Sequence, residues 1–346
     1  DGVHVLRLPT FIDRTRSGIR RVLSYASFSA AAALLGNASI PRPDIVWTYQ
    51  IGLPGVAISL MRDAPLIHEV QDLWPEWSAT GEMGIRSGSL AYRMLQAQET
   101  MIYRRAHMVT TISEGFKKRL TAKGVPEEKI RVIPNWGNEV HFRPLPPDMS
   151  LGEREGLSGR FNVIYGGNIG TAQGLGVVLQ AARLLTDLPT VQFVIIGDGV
   201  ERAGLIAEAE GQGLGNVRFL GSRPPDQMAQ YYAHADVLLI HLLQNPIYDM
   251  TIPSKTYAYL ACGRPILAAL SGETADLIRR LGAGITCAPG DPTALARAVR
   301  DIHGCDENER RRMGDAARAA FLREFSRRSL VDGYESIFNE VLHGRG

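Results

Sequence analysis

From Gly159 to Pro289 short apolar runs alternate with longer stretches of helical character. Residues 161–165, 191–196, 217–220 and 237–240 are almost wholly apolar, as strands covered on both faces must be. That alternation is the βαβ signature of a parallel sheet with helices on both sides. Ahead of it, residues 45–47, 66–70, 108–112 and 131–133 read as strands, interleaved with helices over 55–61, 90–105 and 114–123. Consecutive prolines in Leu145-Pro146-Pro147-Asp148 stop regular structure and mark a linker. The pattern therefore predicts an α/β protein with two doubly wound domains, 1–145 and 146–325, and a terminal helix over 326–346 that packs back toward the first.

Each strand of the second half ends in small residues. The first runs into Gly166-Gly167-Asn168-Ile169-Gly170-Thr171-Ala172-Gln173-Gly174, a turn expected to open a helix. Glycines let backbone approach an anion, and the first N–H groups of a helix supply the positive end of its dipole. Alone, such a turn can be only a tight connection. Here it is repeated as Gly197-Asp198-Gly199 and Gly221-Ser222-Arg223-Pro224, and in parallel sheets ligands collect outside the carboxyl ends of the strands. The next strand leads to Asp249-Met250-Thr251-Ile252-Pro253-Ser254-Lys255, where a cation at a helix start makes Lys255 the favoured diphosphate contact. The alternative for Lys255 is a solvated surface charge.

The order and spacing of these motifs resemble the retaining glycosyltransferases of family 4. The resemblance runs through Gly124-Val125-Pro126-Glu127-Glu128-Lys129-Ile130-Arg131-Val132-Ile133-Pro134-Asn135, the three glycine turns, Pro253-Ser254-Lys255, Gly263-Arg264-Pro265 and Phe325-Ser326. With Glu69-Val70-Gln71-Asp72-Leu73-Trp74-Pro75-Glu76 it is nearest to the fucosamine and related N-acetyl-aminosugar transferases of surface-polysaccharide assembly. It implies two Rossmann-like domains facing a cleft, the GT-B fold, and a nucleotide-diphosphate sugar, UDP-linked, as donor. It implies no metal or further cofactor, and a lipid-linked or saccharide acceptor. Donor binding then falls to Gly166, Gly167, Asn168, Gly170 and Gln173 in the first turn. Gly197, Asp198, Gly199, Ser222 and Arg223 would lie near the base. Asp249, Thr251, Ile252, Pro253, Ser254 and Lys255 complete the set, and Asp72 and Glu76, with Lys255, are the catalytic candidates.

The sequence also departs from the family. Asn168 and Gln173 stand where an Arg and a Lys are usual, which leaves neutralisation of a diphosphate to Lys255, with Arg223 as a possible second. Met250 and Ala258 stand where the family carries a pair of glutamates, with Asp249 beside the first position. Gln71 precedes Asp72 where a His is common, and His68 lies on a strand whose alternate residues face opposite ways, so it is no substitute. Glu69 reads equally as a structural partner, and Trp74 and Trp77 as packing residues. Family chains have a strand, a glycine-rich loop and a long helix before a segment such as Asp1-Gly2-Val3-His4-Val5, so the resemblance implies that the first domain is incomplete at its start.

A chain of 346 residues with 45% hydrophobic content can bury two cores, and its net charge of +2 is too small to point to nucleic acid. Cys262, Cys287 and Cys305 share no metal-ligand spacing and cannot all pair, which points to a reducing cytoplasm. Arg14, Arg16, Arg20 and Arg21 precede an apolar run over 22–35. As a helix that run spans about 21 Å against a hydrocarbon core of about 30 Å, too short to cross. It fits either docking of 14–35 on the anionic inner leaflet or a core helix with an arginine-rich cap. Two other functions remain open: a UDP-sugar epimerase of the same shape, and a noncatalytic or degenerate nucleotide-sugar-binding subunit.

Overall fold

The computed structural model describes residues 2–11, 18–76 and 86–344. Contacts divide the chain into two units, Asp1–Ile133 with Gly333–Gly346, and Pro134–Asp332. The division falls ahead of the Leu145–Asp148 segment that the proline pattern marks as a linker.

In the first unit four strands, β1 (Val46–Tyr49), β2 (Leu66–Val70), β3 (Met108–Thr111) and β4 (Ile130–Val132), pair in parallel in that order. Alternation along β2 sends neighbouring polar residues to opposite faces. His68 meets Thr48 Oγ1 at 2.9 Å and the Tyr103 ring of helix Leu90–Arg105, while Glu69 accepts from Tyr334 of helix Arg327–His343 at 2.8 Å. The sheet is therefore covered on both sides, which is why β2 is buried along its whole length. Helix Gly18–Ala31 continues through a π turn, Ala32–Gly36, with Leu23, Phe28, Leu34 and Leu35 exposed. Arg14 and Arg16 of the expected basic cap, and Trp77, lie outside the described residues, as do the side chains of Arg20 and Arg21. Among the described residues no helix is long and apolar enough to cross a membrane.

The second unit is a six-stranded parallel sheet in the order β10-β9-β8-β5-β6-β7. Its strands are β5 (Phe161–Gly166), β6 (Val191–Ile196), β7 (Val217–Gly221), β8 (Val237–His241), β9 (Ile266–Ala269) and β10 (Gly284–Cys287). The order reverses between β5 and β8, the crevice where open α/β sheets bind ligands. Alternate residues feed two cores: Ile164, Val194 and Ile240 pack with Tyr257 and Phe321, and Val163, Phe193 and Leu239 with Leu179 and Val299. Two cores explain the unbroken apolar runs.

The turn after β5 differs from the expected helix start. It passes through a 3₁₀ turn, Thr171–Gln173, and helix Gly176–Arg183 begins only beyond it. Two local features delay the helix. Gly174 takes the left-handed conformation at φ +55°, and the Gln173 side chain accepts the Gly170 N–H at 3.0 Å. The glycine turn is thus closed by its own bonds rather than by the first turn of an α-helix.

Its base is pinned by a tyrosine. The fully buried Tyr259 hydroxyl accepts from the Gly166 N–H at 2.8 Å and donates to the Gly166 carbonyl at 3.3 Å. Tyr259→Phe leaves that amide buried without a partner and should cost about 1–3 kcal/mol of stability in urea denaturation. An unchanged transition would show that the hydroxyl does not anchor β5.

Candidate functional site

At the carboxyl end of the second sheet the glycine turns are pressed together backbone to backbone. A Cβ on Gly197 would lie 1.9 Å from the Gly167 carbonyl oxygen, and one on Gly199 2.3 Å from that of Ile169. The Gly167 N–H donates to Ile196 O at 2.9 Å, Ile169 N–H to Asp198 O at 2.8 Å, and Gly197 N–H to Gly221 O at 2.9 Å. The Asp198 carboxylate accepts the Gly199 N–H at 2.9 Å. These bonds bring the turns after β5, β6 and β7 onto one rim, with Gly167 and Asn168 at its exposed surface. Asn168 donates to the Gln173 side chain at 3.2 Å, so the two uncharged residues in the cationic places of the family shape the turn.

Lys255 enters this rim from helix Ser254–Cys262, which follows β8. Its stem is half-buried, but Nζ is fully shielded, has no hydrogen-bond partner, and sits 3.7 Å from the centroid of the Tyr165 ring. Lys255 is therefore not a solvated surface charge. Burial, which disfavours the ammonium, pushes its pKa down to about 7. At the end of β8, His241 Nδ1 lies 2.6 Å from the Gln173 carbonyl, which fixes the proton on that nitrogen and leaves the buried Nε2 without a partner. Burial lowers the His241 pKa; the Gln173 carbonyl opposes this and the Lys255 charge adds to it.

The remaining candidates are engaged. Arg223 donates to the Tyr231 hydroxyl at 2.7 Å and lies 3.7 Å from the Glu155 carboxylate, a pairing within the fold rather than a free cation; its Nη1 also meets Ser222 O at 3.2 Å. Asp249 accepts from Ser271, Thr251 O accepts from Thr274 at 3.0 Å, and Ile252 packs on the core. Pro253 caps the helix without a side-chain bond, Ser254 is exposed, and Ala258 is buried, so no carboxylate stands at its position.

In the first unit, Asp72 is held by Gln50. Its carboxylate accepts from Gln50 Nε2 at 2.7 Å, while Gln50 Oε1 accepts the backbone N–H groups of Gln71 and Asp72 at 2.9 and 3.2 Å. Gln50 is in the left-handed region at φ +60°, uncommon for a residue with a side chain. Burial raises the Asp72 pKa. Glu76, by contrast, binds Lys123 at 2.8 Å and Arg119 at 2.9 Å, and Lys123 reaches Glu99 at 2.7 Å, which makes it part of an ion-pair cluster. Glu69 accepts from Gln71 as well as Tyr334. Sequence reasoning missed Tyr165, His241 and Gln50. Their available signals were an aromatic directly before the glycine pair and polar residues closing apolar strands.

Known proteins place these features in a class. A family model described as Glycosyl transferase 4-like domain matches residues 1–136, and one described as Glycosyl transferases group 1 matches residues 160–304. The two models match the chain in order over separate regions, and its two parallel sheets are of the GT-B type. Probable glycosyltransferase WbjE of Pseudomonas aeruginosa is 28% identical over 67% of this chain, which spans only 58% of that relative. Putative colanic acid biosynthesis glycosyl transferase WcaI of Escherichia coli (strain K12) is 26% identical over 86% of this chain and 75% of its own length. The crystal structure of Anabaena Alr3699/HepE in complex with UDP matches with a TM-score of 0.74 at 18% identity, over 92% of this chain and 84% of that one, a likeness of fold.

The buried amine has a pH signature. The folded amine loses its proton near 7 and an unperturbed lysine near 10.5, so between these values only the unfolded chain holds it and stability rises with pH. Compared with Lys255→Met, the wild type should gain stability from about pH 7 to about pH 10 in thermal melts. A difference independent of pH would contradict burial of Nζ.

Proposed function

We propose that the chain transfers a sugar, with retention of configuration, from a UDP-linked donor to a lipid-linked or saccharide acceptor in surface-polysaccharide assembly. An N-acetyl-aminosugar is the donor sugar of this reading. The observation that carries it is the rim at the β5/β8 switch point, where the exposed Gly167–Asn168 turn, with the Asn168 N–H left to donate, stands near a buried, unpaired lysine. UDP bound to the structurally similar HepE supports the choice of nucleotide, and the relatives of polysaccharide pathways support the setting.

In this reading the base lies toward Gly197–Gly199 and Gly221–Arg223, and the diphosphate over Gly167–Gly170. The main electrostatic task is to stabilise the departing diphosphate, and the Asn168 amide, fixed in place by the bonds of its neighbours, does so without reorganising. Lys255 supplies the cation, and no metal or other cofactor is assigned a part. Retaining transfer proceeds on one face of the sugar, with no protein nucleophile. Asp72, raised in pKa and held by Gln50, orients the acceptor hydroxyl and receives its proton. Glu76, neutralised by two cations, holds the Asp72 loop in place. Docking of residues 14–35 on an anionic leaflet belongs to the same proposal.

A noncatalytic nucleotide-sugar-binding subunit is the second reading, favoured by the buried Ala258 where the family has an acid. Turnover separates the two. Incubation with a panel of UDP-sugars and lipid extract should yield UDP and a glycosylated product; binding without UDP release supports the subunit, and an epimer formed without acceptor supports the isomerase. Calorimetric titration tests the site itself: Lys255→Ala should weaken UDP binding by about 10–100-fold. Equal affinities would remove Lys255 from it.

A further inference from the structure

The position of Lys255 Nζ has a consequence for ligand binding that rests on the proposed donor site. The atom is out of reach of water and has no hydrogen-bond partner. An anion's oxygen is no smaller than water, so nothing can bind Nζ where it now lies. The flat face of Tyr165 is beneath it at 3.7 Å, and a Cβ built on Gly167 would come within 3.2 Å of it. The ring is itself fixed, because the Tyr165 hydroxyl donates to Asn168 O at 2.6 Å in the glycine turn. The lysine stem is half-buried, in the first turn of its helix, so rotation about its own bonds can bring Nζ outward.

We propose that Tyr165 is a positioning residue of the donor site: its ring parks the Lys255 amine while the site is empty, and a nucleoside diphosphate draws the amine off the ring and onto its phosphates. The glycine turn over it must be bare for this. A side chain at Gly167 would crowd the parked amine.

The groups around the amine fix its charge in each state. Tyr165 of β5 is a neutral phenol, kept so by burial. His241 of β8 donates from Nδ1 to Gln173 O, and its burial and the lysine's charge both disfavour a second proton. Tyr259, on the helix of Lys255 and acting on Tyr165, is also a neutral phenol. Burial alone acts on Lys255, with no carboxylate opposing it. The parked amine is therefore mostly uncharged above about pH 7, whereas an amine on phosphate stays cationic to about pH 10. Between those values binding must transfer a proton from solvent to Nζ. The ring holds the amine; the phosphate holds the ammonium.

Calorimetry of UDP binding at about pH 8.5, where the nucleotide phosphates are fully ionised, in buffers of different ionisation enthalpy, reads that proton directly. The wild type should take up about one proton per UDP, and Lys255→Met none. Tyr165→Leu, which removes the ring, should lose most of the uptake and bind UDP several-fold more tightly at this pH. Tyr165→Phe, which keeps the ring, should retain the wild-type uptake. A merely structural tyrosine would give Tyr165→Leu weaker binding with uptake unchanged, and that result overturns the proposal. The wild-type measurement decides even if Tyr165→Leu does not fold, since a buffer-independent heat overturns parking by itself. Absence of any binding of UDP, by contrast, overturns the donor-site reading.

Discussion

The rim of the second sheet depends on one contact, the pressing of the Gly197 and Gly199 backbones against the carbonyls of Gly167 and Ile169. No side chain fits at either glycine, and the amide bonds between the turns require that closeness. Because the contact closes the turn from behind, Gly167 and Asn168 face outward while Ile169 and Gly170 are buried. An anion there meets the Asn168 amide and uncharged side chains. The counter-charge has to come from another element, and the strand order supplies it. β8 lies beside β5 at the reversal, so the helix that follows β8 starts next to the turn that follows β5.

That arrangement places an amine where solvent cannot stabilise its charge. A buried amine without a hydrogen-bond partner is unfavourable, and groups perturbed in this way cluster at ligand sites. His241 contributes to the same enclave with a second unsatisfied nitrogen. The first unit uses a different device for Asp72: Gln50, in an uncommon backbone conformation, grips the carboxylate and the amides beside it together. In both units a group with a perturbed pKa is held by a residue whose own geometry is tightly fixed.

Much of the fold was legible because burial on two faces writes long apolar runs that helical segments interrupt. The eight strands read from the sequence lie within two residues of their observed positions, whereas β9 and β10 were not singled out. The glycine turns were legible for the same reason that they are glycine: nothing else fits. What could not be read was the side-chain pairing. Arg223 and Lys255 look alike as cations near a rim, yet one is tied to Tyr231 and Glu155 while the other lies unpaired on a ring. Asp72 and Glu76 look alike as a carboxylate pair, yet Lys123 and Arg119, distant in sequence, neutralise only the second. The helix after the glycine turn was placed too early, because a side-chain bond from Gln173 and the left-handed Gly174 override local helix preference.

The account centres on an anion seat formed by the exposed Gly167–Asn168 turn and completed by Lys255. A crystal structure of the chain soaked with UDP tests it most directly. The account predicts diphosphate density over that turn, with Lys255 Nζ within hydrogen-bond distance of a phosphate oxygen and no longer over Tyr165. Nucleotide density elsewhere, with the turn empty and the amine still on the ring, would contradict it.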